Sequence, residues 1–145
     1  MKAKVAISLL CIAAVLAWTG LAGAQGPRMP LPSGETVWNL EGLWDVVVEN
    51  YGEWERFGTF PNLYLIHQTG NAISAVRMRD NRPPSPGKAG SPCLFGELAK
   101  DGFKFIYIID SSGQPWPSKG QISDDGKKIV IDDGTKARST MIRRY

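Results

Sequence analysis

Few side chains in this sequence are equipped for chemistry: one histidine, His67, and two cysteines, Cys11 and Cys93. His67 ends an apolar run before a turn, where an imidazole can act as a general base, a metal ligand or a polar group at a rim. With no second histidine and no neighbouring nucleophile, the expected role is a polar anchor at a rim. Cys93 would work as a thiolate only if the fold brought it to His67; a lone cysteine is more often a small buried apolar residue. Glu53 and Glu55 flank Trp54 in a pattern that could hold the two carboxylates of a glycosidase, but an exposed acidic turn fits the same residues. Asp124, Asp125, Asp132 and Asp133 lack the alternating oxygen ligands and closing glutamate of a calcium loop, and turn formation accounts for all four. The expectation is therefore a protein that binds rather than catalyses, with no metal and no cofactor.

The aromatic residues carry more information. Trp38, Trp54, Phe57, Phe60 and Trp116, the last held between Pro115 and Pro117, fall in or beside loops. Large rings there must pack on something, because an exposed indole forgoes roughly 25 cal/mol per Å² available on burial. They either cap a core or line a mouth that takes an apolar ligand or a partner surface.

The elements that position them follow from length and pattern. The 145 residues carry 17 Lys and Arg against 14 Asp and Glu, and setting Lys2 and Lys4 aside leaves 15 against 14, too even for a nucleic-acid footprint. Residues 1–24 read as a signal peptide: Lys2 and Lys4 begin it, Val5 to Trp18 form the apolar stretch, and Ala22-Gly23-Ala24 offers an A-x-A cleavage site. The competing reading is a retained anchor helix. Cleavage predicts an exported chain, periplasmic or secreted, without a stable membrane anchor and with Cys93 as its single cysteine. Residues 25–36, with Pro27, Pro30 and Pro32, are expected to be a linker that sustains neither helix nor ladder. One domain, 37–145, remains, of a size that can bury a modest core without metals or bridges.

Within it the dominant period is two, with runs rich in Val, Ile, Phe and Tyr and almost no helix. Strands are expected at Leu40–Tyr51, Phe60–His67, Ile73–Arg79, Cys93–Ala99, Phe103–Ile109, Gly120–Ser123, Lys128–Asp132 and Arg138–Tyr145. Thr69-Gly70-Asn71, Asp101-Gly102, Asp125-Gly126 and Asp133-Gly134 supply the positive backbone angle of tight hairpins. Asn81 to Pro92 is a long proline-rich loop outside the sheet. Consecutive hairpins imply an all-β, antiparallel up-and-down meander, and such strands can close into an eight-stranded barrel without exposed edges.

Leu40-Glu41-Gly42-Leu43-Trp44 resembles the Gly-x-Trp opening of lipocalins, avidins and related calycin barrels. The resemblance implies a calycin-like barrel in which Gly42 permits a close bend and Trp44 plugs the closed end. An arginine of the last strand, Arg143 or Arg144, would lie over the indole. No set of biotin-contacting residues is matched, so no ligand is implied.

The expected function is noncovalent binding of a small apolar or amphipathic ligand at the barrel mouth, with Trp54, Phe57, Phe60 and Trp116 as walls and His67 as anchor. The alternative is a protein-interaction or inhibitor module acting on an exported partner through the proline-rich loop and Pro115-Trp116-Pro117. A barrel of this strand number either holds one small ligand or is filled by its own side chains.

Overall fold

The computed structural model describes residues 27–144. The expected signal peptide, with Cys11 and its cleavage site, lies outside the described residues, as does Tyr145. The described chain forms β1 (Arg28–Pro30), β2 (Thr36–Trp38), β3 (Gly42–Asn50), a 3-10 helix (Gly52–Phe57), β4 (Thr59–Thr69), β5 (Ala72–Arg77), β6 (Pro92–Ala99), β7 (Gly102–Ile109), β8 (Pro115–Ile122), β9 (Lys128–Asp132) and β10 (Ala137–Arg143). Strands β3 to β10 follow one another as antiparallel neighbours, and β10 returns to pair with β3, closing an eight-stranded barrel. The meander expected from the hairpin signals is the observed topology.

Alternation builds the interior. Along β3, Trp44, Val46 and Val48 are buried while Asp45, Val47 and Glu49 are exposed, as the two-residue period requires. Leu94, Leu98, Ile106, Ile129, Ile131 and Met141 are also buried, so the barrel is largely filled by its own side chains.

Prolines account for two departures from expectation. The sixth barrel strand begins at Pro115 rather than near Gly120, because Pro115 to Ser118 pairs with β7 alone and β9 joins β8 only from Lys119. Missing amide donors are tolerated where one side of a strand has no partner. The expected linker is the second departure: Arg28–Pro30 forms a short antiparallel ladder with Thr36–Trp38, a pairing brief enough for a terminal proline to tolerate.

Turn chemistry follows expectation at Gly70, Gly126 and Gly134, which all have positive φ. Gly102 does not; it belongs to β7, opposite Ala99. Gly42 has φ +124°, a conformation L side chains rarely adopt, so the bend before Trp44 requires glycine.

One end of the barrel is sealed. Trp44 is fully buried and its indole N–H donates to the Leu40 carbonyl at 2.9 Å. The β1–β2 hairpin lies against the same end, with Val37 and Trp38 buried in the core. Gln68 fastens it: its side-chain oxygen accepts the Leu40 N–H at 2.7 Å, and its amide nitrogen donates to the Trp38 and Gly70 carbonyls, both at 2.9 Å. Arg28 stacks over the Trp38 ring at 4.0 Å.

Candidate functional site

The opposite end of the barrel is open. The end of β3, the start of β4, the β5–β6 connection and the β7–β8 turn surround a cavity of about 70 Å³ there. That is well below the roughly 300 to 1,000 Å³ of sites for drug-sized ligands, so the mouth admits a small group, with anything larger lying across the rim.

Trp54 and Phe57 reach the cavity from the 3-10 helix, and Phe60 from the first inward position of β4. Sequence reasoning expected a loop where this helix lies. Gly52 opens it with φ +56°, and a Cβ there would stand 2.4 Å from the Thr135 carbonyl oxygen, so only glycine lets the helix approach the β9–β10 turn.

Trp116 supports this wall without lining the cavity. Its ring meets that of Trp54 edge-on, with centroids 5.9 Å apart and planes at 88°. Lys136 Nζ stands 3.5 Å from the Trp116 ring centre and 5.4 Å from that of Trp54, and pairs with Glu53 at 3.2 Å. The expected acidic turn residue therefore holds a cation against two indoles, a contact strengthened by the partial burial of the lysine.

His67 does not belong to this site. It follows inward-facing Ile66 on β4, so the pleat turns it outward, and it is exposed, paired with Ser74 toward the sealed end. The expected anchor role is corrected accordingly. Cys93 is buried on the inner face, and burial pushes its thiol up to about 12, so it stays protonated and is not joined to His67.

Three residues missed by sequence reasoning supply the polar part of the mouth. Arg77 is only 5% exposed, yet lines the cavity. Its Nη1 donates to Ser91 Oγ at 3.0 Å and the Pro92 carbonyl at 2.6 Å, and its Nη2 to the Ile109 carbonyl at 3.0 Å. Tyr64, buried beside it, has its phenol pushed well above the ordinary range, chiefly by burial. Asp110 forms part of the rim: Oδ1 accepts from the Ser112 hydroxyl and the Ser112 and Gln114 amides, and Oδ2 accepts from the Trp116 indole at 3.0 Å. Burial alone would raise its carboxyl, but these donors outweigh it and hold the group below the usual range. Arg77 did carry a signal, since Ile73, Ala75 and Arg77 share the inward period of one strand.

The plug residues separate. Arg143 lies over Trp44, whereas Arg144 turns outward and pairs with Asp45, which removes it from the sealed end. The acidic pairs serve turns: Asp125 accepts the Lys127 amide at 3.0 Å, and Asp133 those of Thr135 and Lys136 at 2.8 and 2.6 Å.

Two wider depressions, of about 450 and 390 Å³, lie on the outer wall around Arg138. Outward-facing Glu49, Lys119, Gln121 and Thr140 border the larger, which lacks the aromatic walls of the mouth. The combination of an aromatic wall, a buried cation and a closed opposite end is confined to the mouth among the described residues. Comparison with known proteins finds no matching family model, no matching curated protein and no matching solved structure.

Proposed function

We propose that this chain is an exported β-barrel binding protein that takes a small apolar or amphipathic ligand noncovalently at its mouth. The observation that carries the reading is the convergence of Trp54, Phe57 and Phe60 on one cavity at the open end of a barrel whose other end is sealed. Apolar walls favour the ligand by removing it from water, and a few fixed polar groups orient it. The proposed role is binding without chemistry, since the Cys93 thiol is protonated and His67 faces away. Export is proposed from the positive start, apolar stretch and A-x-A site of residues 1–24.

Native mass spectrometry of the protein purified from its own source tests the reading. One equivalent of a retained small molecule is expected, with the retained fraction falling in Phe57→Asp, which places a charge at the mouth. A clean apoprotein whose tryptophan fluorescence is unmoved by small amphipathic compounds counts against it.

A specific observation favours a second reading, a partner-binding module. On the outer wall Phe95 stacks on Tyr107 with ring centres 5.0 Å apart, Phe105 meets Tyr107 edge-on at 6.0 Å, and Phe95 and Phe105 are 36% and 40% exposed. Clustered exposed rings are enriched at protein interfaces. Loss of pull-down of an exported protein on Phe105→Ser, with ligand retention intact, would favour this reading over the first.

A further inference from the structure

We propose that the ring-bearing outer wall of β6, β7 and β8 receives a second copy of this chain, related to the first by a two-fold axis along β7. The inference rests on the second reading, in which this wall is an interface, and names its occupant.

Two cross-strand rows make up the wall. In the first, Tyr107 stands between Phe95 on β6 and Pro117 on β8. In the second, Glu97 stands opposite Phe105, and the register that pairs Ile106 with Ser118 brings Lys119 to the other side of that ring. Residues two apart on a strand share a face, so both rows point outward. Phe95, Phe105, Pro117 and Lys119 are exposed, and Glu97 and Tyr107 half-buried. Rings thus hold the middle of the wall, with a carboxylate on the β6 flank and an ammonium on the β8 flank.

That distribution of charge decides the occupant. In a two-fold interface each patch must complement itself. A half-turn about an axis along β7, in the plane of contact, sets β6 of each copy against β8 of the other. Glu97 then faces Lys119 of the second copy, Phe95 faces its Pro117, and Phe105 and Tyr107 meet their own counterparts on the axis. The perpendicular in-plane axis would set Phe95 against Glu97 and Pro117 against Lys119, leaving both charges on apolar groups. An axis along β7 also keeps the strands of the two copies aligned, a geometry in which sheets pack face to face about 10 Å apart.

Both charges are available for the contact. Lys119 takes part in none of the ion pairs among the described residues. Glu97 uses Oε1 alone, which accepts from Asn71 Nδ2 and Lys104 Nζ, both at 3.0 Å. Six side chains from each copy are few against the roughly 20 to 30 residues a side of a standard interface, so the pairing is weak and concentration-dependent.

Sedimentation equilibrium of the protein purified from its own source, from low-micromolar to near-millimolar concentration, tests the pairing. The average mass is expected to rise from one chain to two. Lys119→Glu sets like charges together at both ends of the contact, and Phe105→Ser removes both rings from the axis; each should raise the dissociation constant at least about tenfold. Glu97→Lys should do the same. A mixture of the Lys119→Glu and Glu97→Lys proteins restores opposite charges at every contact, and should dimerise at concentrations where neither variant does alone. A mixture that stays monomeric would overturn the arrangement, and so would a dimer that Lys119→Glu and Phe105→Ser leave intact. A mass of one chain at every concentration would overturn the inference outright. If Phe105→Ser then still abolishes capture of an exported protein, the second reading stands with another occupant; if it does not, that reading falls as well. Should Glu97→Lys fail to fold on losing Asn71 and Lys104, Lys119→Glu and Phe105→Ser decide.

Discussion

The guanidinium of Arg143 lies 5.6 Å from the centre of the Trp44 ring, while its Nη1 and Nη2 donate to the carbonyls of Asn39 and Glu41 at 2.6 and 2.8 Å. One side chain of the last barrel strand thus ties down the segment that enters the first, 102 residues away along the chain in the case of Glu41. Closing so long a loop costs entropy, and the contacts that reward closure are made where first and last strands meet. The sealed end is therefore a fastening for the barrel as a whole.

Arg143 and Arg144 are adjacent and chemically identical, so their variants isolate position. Arg143→Ala removes two charge-assisted hydrogen bonds and a cation on an indole face, and should cost roughly 1.5 to 3 kcal/mol in urea unfolding. Arg144→Ala removes an exposed ion pair with Asp45 and should leave the midpoint almost unchanged. Equal losses for the two would show that Arg143 does not fasten the sealed end.

Trp44→Ala should cost roughly 3 to 5 kcal/mol, the usual loss on truncating a buried aromatic. The indole is fully buried and its N–H is satisfied by Leu40, so the variant loses packing and leaves a carbonyl without its donor. A change in midpoint no larger than that of a surface substitution would remove Trp44 from the structural core.

Much of this architecture was legible because a filled barrel imposes a two-residue period that shows along strands such as Trp44-Asp45-Val46-Val47-Val48. The parts that were not legible depend on partners distant in sequence. Pro115 and Pro117 argue against a strand until it is known that β9 is too short to reach them, and Pro27, Pro30 and Pro32 argue against a hairpin that packs on a barrel end. At the site, ring type pointed to Trp54, Phe57 and Phe60, because large apolar rings between strands must be buried somewhere. Arg77 was hidden by its charge: the alternation of Ile73 and Ala75 turns it inward, but a lone cation is a poor candidate for a core until its carbonyl acceptors are seen. His67 was placed at the site on residue type alone, although its neighbour Ile66 already claimed the inner face.

Gln68 offers a test of the end seal from its polar side. Its amide holds the Leu40 N–H and the Trp38 and Gly70 carbonyls together, so Gln68→Ala leaves a part-buried N–H and two carbonyls unsatisfied, at a cost of about 1 to 3 kcal/mol. The loss should be local first. Hydrogen exchange at Leu40 is expected to accelerate and the NMR signal of the Trp38 indole N–H to shift toward that of an exposed indole, while amides of β6 and β7 at the far wall keep their protection. Uniform loss of protection across the barrel would mean that the hairpin and the barrel unfold as one unit.

Asp110 connects the mouth to pH. Burial of its carboxyl works to raise its pKa, but the Ser112 hydroxyl, the Trp116 indole and the Gln114 and Ser112 amides outweigh that and lower it below the unfolded value of about 3.9. A group whose folded value is depressed contributes stability fully above its unfolded value, and that contribution disappears as pH falls through the folded value. Asp110→Asn should therefore be less stable than the parent at about pH 7, and the gap should narrow at about pH 3 and below, as the parent's own carboxyl takes up a proton. Asp132, depressed by Tyr51, the Gly134 amide and Arg138 against the opposing effect of burial, remains in both proteins, so the variant keeps part of the parent's acid sensitivity. Urea unfolding across this range, with the NMR signal of the Trp116 indole N–H as a local reading, separates the two carboxyls. A gap of the same size at both pH values would mean that the asparagine disturbs packing at the mouth, and that the charge of Asp110 plays no part in holding Trp116.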